Sequence, residues 1–198
     1  MPSKTLATPS IIAIGVMDPS GPYDIRFTYT DNQAVKNRAV IMDAETYETV
    51  YDRTQLSMKL LHTVPAGILQ TGKCYIAMVQ VFDADENKSG LSESTLFYCF
   101  SRPVFAINNV PAICKKASIT LPLSYIQEEG EPLKSYQFFL YDADYNMLNN
   151  SRIFFAGEDM NYTFNGLQNH CTYYYRAIGE TVHGYQLDTG YHRITVDY

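Results

Sequence analysis

Two short acidic segments carry the densest oxygen chemistry in this chain of 198 residues. From Asp83 to Ser89 the oxygen side chains of Asp83, Asp85 and Asn87 stand at alternate positions, the spacing of the first half of a calcium loop. Asp142, Asp144 and Asn146 repeat that spacing. An EF-hand loop needs Gly at its sixth position and a bidentate Glu at its twelfth. Lys88 holds the sixth position and no Glu stands at the twelfth. The expectation is therefore two hairpin turns closed by local Asp and Asn hydrogen bonds, with no metal. The histidines His62, His170, His183 and His192 fall in different segments. Two histidines without a carboxylate or thiol make a poor metal site, so surface or strand-edge positions are expected for them. Cys74, Cys99, Cys114 and Cys171 form no C-x-x-C pair; reduced, partly buried thiols are expected. No Ser stands in a nucleophile elbow and no Cys precedes a plausible base. Carboxylates are present, but nothing marks a cleft that would pair them for glycoside hydrolysis. The residues thus predict neither an enzyme nor a cofactor.

The elements that carry these segments are duplicated. Leu69 is followed six residues later by Tyr75, and Leu167 by Tyr173. Upstream, MDAETYETVYDR ends at Arg53 and YDADYNMLNNSR ends at Arg152. The offsets are 99 residues for these strings and 98 for the Leu/Tyr pair. Features held at nearly one offset across such a distance mark an internal repeat. Two units of about 100 residues follow, with boundaries at 1–102 and 103–198 and a linker of two or three residues around Ser101–Pro103. A linker so short, with a proline in it, predicts a stiff rod.

Composition narrows the partners. The net charge is −6 and the only adjacent basic pair is Lys115–Lys116, so the basic stripe that nucleic acid or an anionic membrane would need is missing. No apolar run reaches the length of a membrane-spanning helix, and the first residues carry no signal-peptide h-region. Membrane insertion and export are not expected. The chain has 17 Tyr and no Trp, which favours strands with contact surfaces.

In the first repeat, strands read at 10–18, 23–30, 38–43, 46–51, 58–64, 75–82 and 94–100, separated by turn residues. Seven short strands at this spacing predict a β-sandwich. In such sandwiches a Tyr near the start of the sixth strand returns its hydroxyl to the preceding loop, and the Leu before it plugs the core. Here the chain resembles the fibronectin type III family. The match rests on Leu69 and Tyr75, on Ala77, Val79 and Val81 alternating inward, and on Gly90. The second copy offers Leu167, Tyr173, Tyr175 and Ala177, with Gly184. The resemblance implies an all-β chain of two tandem seven-stranded immunoglobulin-like (fibronectin type III-like) β-sandwiches. The Trp usual on the second strand is missing from both copies, with Phe27 and Ile119 near its place, so other seven-stranded sandwiches fit the same pattern.

If Tyr75, Ala77, Val79 and Val81 face inward, strand alternation turns Ile76, Met78 and Phe82 outward. A solvated face would be polar at those positions, and burying the three side chains is worth ~5 kcal/mol, so an interface is expected there. In the second copy Tyr174, Arg176 and Ile178 point outward, with Tyr185 and Tyr191 nearby; Tyr and Arg are enriched at contact hot spots. The repeated hairpin and the tandem sandwiches look similar to tail, baseplate and fibre proteins of tailed bacteriophages. That resemblance implies a virion component, a homo-oligomer in a symmetric assembly that packs against other virion structural proteins. The alternative is a module that adheres to a host-surface glycan or protein.

Overall fold

A computed structural model of the chain describes residues 5–31 and 33–198; the expected extended start, residues 1–8, lies partly outside them. Two compact units are present, Met1–Ser101 and Arg102–Tyr198. Every regular element among the described residues is a strand.

In the first unit β1 (Ser10–Ile11), β2 (Val16–Met17), β3 (Tyr23–Thr28), β4 (Lys36–Asp43), β5 (Thr49–Leu56), β6 (Leu61–Val64), β7 (Lys73–Phe82) and β8 (Thr95–Cys99) follow in order. They form a three-stranded sheet β1-β3-β6 and a five-stranded sheet β2-β8-β7-β4-β5. The first strand differs from the expectation. It breaks at Gly15, whose φ of 71° only glycine adopts without strain. Its first half then pairs with β3 and its second half runs parallel to β8 in the other sheet. Counted with that strand as one, the unit has seven. The core forms where Ile25, Phe27 and Val64 of one sheet meet Ala39, Ile41, Ala77, Val79 and Phe97 of the other. The alternation along β7 places Tyr75, Ala77, Val79 and Val81 inside.

The second unit repeats this plan. Strands β9 (Val104–Ile107), β11 (Ser118–Ile126) and β15 (Asn161–Asn165) make the small sheet. The large one runs β10 (Ile113–Cys114), β18 (His192–Val196), β16 (Thr172–Thr181), β12 (Leu133–Tyr141), β13 (Met147–Asn150), with β14 (Phe154–Phe155) on β12 and β17 (Gln186–Asp188) on β16. Even irregularities recur: the register slips between Ile41 and Met42 in β4 and between Leu140 and Tyr141 in β12.

The repeated Leu and Tyr behave as the sandwich pattern predicts. The Gln70 N–H donates to the Tyr75 hydroxyl oxygen at 3.0 Å, and the Gln168 N–H to that of Tyr173 at 2.9 Å. Leu69 and Leu167 are buried beneath them.

The interiors differ at one matched place. In the first unit Asn37 lies inside; its Oδ1 accepts from His62 Nδ1 at 2.6 Å while its amide donates to the Leu61 carbonyl. His62 Nε2 then accepts from the Tyr51 hydroxyl at 3.0 Å. In the second unit Tyr136 and Phe138 stand at the positions of Asn37 and Ala39, stacking with Phe154 and Tyr162 into an aromatic core. His62 therefore stands on β6, an edge strand as expected, but is fully buried rather than at the surface. A strand-edge residue can still point inward, and two hydrogen-bond partners make that position tolerable.

Candidate interaction surface

Antiparallel register assembles the outer face of the second unit. Phe139 stands opposite Arg176 and Tyr141 opposite Tyr174 across β12 and β16. These are the residues that alternation turns away from the core. Tyr191, just before β18, folds over them. Its ring meets Tyr141 at 5.1 Å and Tyr145 at 5.1 Å, both edge-on. Tyr145 in turn stacks on Tyr174 at 4.3 Å and 21°. The Arg176 guanidinium lies 4.7 Å from the Tyr191 ring centre, donates from Nε to the Tyr141 hydroxyl at 3.1 Å and pairs with Asp188 at 3.1 Å. Burial pushes the Tyr141 phenol up, against the pull of Arg176. The Tyr145 phenol is also raised, first through its hydrogen bond with Tyr174. A locked guanidinium between ring faces loses little freedom on binding, which suits a contact anchor. Tyr145 and Tyr191 remain 51% and 46% exposed.

Of the residues singled out by sequence, Tyr174, Arg176 and Tyr191 meet in this cluster. Ile178 sits farther along β16 in a shallow groove of about 350 Å3 with Ile153 and Gln186. Tyr185 packs partly against the core instead, its N–H held by Thr181 Oγ1. Phe139, Tyr141 and Tyr145 were not anticipated. The alternation of SYQFFLYD could have placed the first two outward, because Tyr136, Phe138 and Leu140 take the inner positions.

On the first unit, Ile76 and Met78 do lie on the outer face, half-buried beside Met42 and Val40, with Leu96 half exposed. Phe82 does not join them. Arg38 and Gln80 form a polar row between, with Arg38 paired to both oxygens of Asp52 at 2.6 Å. The Phe82 ring instead lies under Lys36, which pairs with Glu86.

The two acidic turns share one geometry. Asp83 Oδ1 accepts the N–H groups of Asp85 and Asn87, and Asp142 Oδ1 those of Asp144 and Asn146. The Asn87 and Asn146 amides donate to the second oxygens. Hydrogen bonds from Asn146 hold the Asp142 carboxyl below its ordinary value. Among the described residues no cluster of three metal-ligating side chains occurs.

The acidic loop 128–131 exposes Glu128 but not its last carboxylate. Glu131 is buried and accepts from the His183 N–H at 2.8 Å and from His183 Nδ1 at 2.6 Å. Burial pushes its carboxyl up, yet the bonds from Thr181 and His183 together bring it below the ordinary value. Neighbouring carboxylates alone could not show which of them a histidine from a later hairpin would reach.

All four cysteines are free, with Cys99 and Cys114 buried. No helix among the described residues is long and apolar enough to cross a membrane.

Comparison with known proteins adds the class. No family model matches the chain, and no curated protein matches it. Among solved structures, the crystal structure of the chicken CNTN1 FN1–FN3 domains is similar at a TM-score of 0.59 and 11% identity, covering 99% of this chain and 69% of that one. The likeness concerns the fold: this chain consists of tandem fibronectin type III-like, immunoglobulin-like β-sandwiches.

Proposed function

We propose that the chain is a non-enzymatic structural protein that assembles with other proteins through its outer sheet faces. The Tyr141–Tyr145–Tyr174–Tyr191–Arg176 cluster carries the reading. It is rich in the two residue types that dominate contact hot spots, and it is held rigid by its own stacking before any partner arrives. The apolar strip of Ile76, Met78 and Leu96 supplies a second contact. The context proposed is a tailed-bacteriophage virion, with the chain in the tail, baseplate or fibre as a homo-oligomer against other virion proteins. Its support is the resemblance of the repeated hairpin and tandem sandwiches. Hydroxyl-radical footprinting with native mass spectrometry tests the reading on the purified chain. Expected are oligomers in which Tyr145 and Tyr191 are protected, and monomers when Arg176 and Tyr191 are both replaced by Ala without loss of fold. A wild-type chain that stays monomeric, with both tyrosines fully labelled, overturns it.

A further inference from the structure

Around the turn from the aromatic cluster lies a groove of about 490 Å3, within the range of small-ligand sites. It opens between the Asp142–Asp144 turn, the end of β15 and the start of β16, over a floor that includes Leu140 and Leu148. Its polar groups divide sharply. The Asp142 carboxylate is spent on its own turn. The side chains of Asp144, Asn165 and Thr172 also line the groove and make no hydrogen bond to another described residue. Asn149 gives only its oxygen, to the Asn150 N–H, and keeps its amide donors.

We propose that this groove binds a neutral carbohydrate, one or two sugar residues of a glycan. The lining selects for it. No Lys or Arg is present to hold an anion. A single unspent carboxylate falls short of the six to eight oxygens that calcium takes. An extended peptide would need a free strand edge. β13 and β15 are both edge strands, but on β13 the Asn150 N–H is already taken by the Asn149 side chain, which interrupts the ladder a peptide would need beside Leu148. What remains is an acceptor, the three amides of Asn149, Asn165 and Gln168, and a hydroxyl above apolar carbon, a set that pairs with hydroxyls on a ring whose faces are partly apolar. Tyr145 follows Asp144 directly, and Thr172 shares the outer face of β16 with Tyr174. A longer glycan can therefore leave the groove onto the stacked tyrosines.

The groove lining is separate from Arg176 and Tyr191, so Asn165 and Thr172 report on sugar binding apart from assembly, whereas Tyr145 belongs to both surfaces. The probes are methyl β-D-galactopyranoside, N,N′-diacetylchitobiose, cellotriose and maltotriose at millimolar concentration, followed by amide chemical shifts of the intact chain. At least one is expected to move the Asp144, Asn165 and Thr172 signals saturably. Asn165→Ala and Thr172→Ala should each weaken that binding ~5-fold to 10-fold, the loss of one hydrogen bond, with the remaining spectrum unchanged. Tyr145→Ala should weaken cellotriose or maltotriose more than the monosaccharide. The proposal is overturned if none of the four sugars shifts the groove, if the shifts survive Asn165→Ala unaltered, or if only unstructured peptides produce them.

Discussion

The buried His62 makes a quantitative prediction about the first unit. Burial lowers its pKa from 6.5 to about 4, and the network keeps it neutral, because Nε2 must accept from Tyr51 while Nδ1–H donates to Asn37. Between these two values the unfolded chain holds a proton on His62 that the folded chain does not. Stability therefore rises with pH across this window and falls as pH drops from 6.5 towards 4. Roughly 2.5 pH units at about 1.4 kcal/mol each give a loss of ~3 kcal/mol, or a fall of ~12–24 °C in the melting temperature of a unit this size. Below pH 4 the effect saturates. There the carboxylates whose pKa values hydrogen bonds hold down, such as Asp43, Asp52 and Asp142, lose their contribution as they protonate. Urea unfolding of the wild type and of His62→Gln, measured at half-unit steps from pH 7.5 to 4 (about seven steps), isolates the slope. The variant will be less stable at pH 7 but should lack the one-proton slope in the first unit's transition. A wild-type stability that is flat over this window, or an equal slope in His62→Gln, would refute the neutral buried imidazole.

Two further outcomes follow from the same geometry. Tyr75→Phe and Tyr173→Phe each leave a loop N–H without its acceptor, so each should cost ~1–2 kcal/mol in the transition of its own unit, read by calorimetry; an unchanged melting temperature for both would remove the corner from the energetics. Burial pushes the Cys99 thiol up to about 12, so Ellman's reagent at pH 8 should leave Cys99 unreacted in the native chain and modify it only in denaturant, with mass spectrometry locating the label.

Much of the architecture was legible because strand alternation is a local rule. The inward run of Tyr75, Ala77, Val79 and Val81 needed only the two-residue period, and the corners at Tyr75 and Tyr173 needed only their recurrence after Leu69 and Leu167. The outward positions Ile76, Met78, Tyr174, Arg176 and Ile178 came from the same rule. Phe82 shows its limit. Alternation assigned the face, but Gln80 and Arg38 decide the neighbours on that face, and Arg38 arrives from another strand.

Composition and periodicity alone thus determined an all-β chain built twice from one sandwich pattern, since both depend on residues close in sequence. Tertiary structure alone decided which polar groups are spent and which are open. Asn37, His62 and Tyr51 meet inside, Glu131 is sealed by His183, and Tyr191 closes over Arg176, while Asp144, Asn165 and Thr172 are left open around a groove. Each of these pairings joins distant segments through sheet register or loop packing, and hydrogen-bond satisfaction is a property of the folded neighbourhood rather than of a residue type.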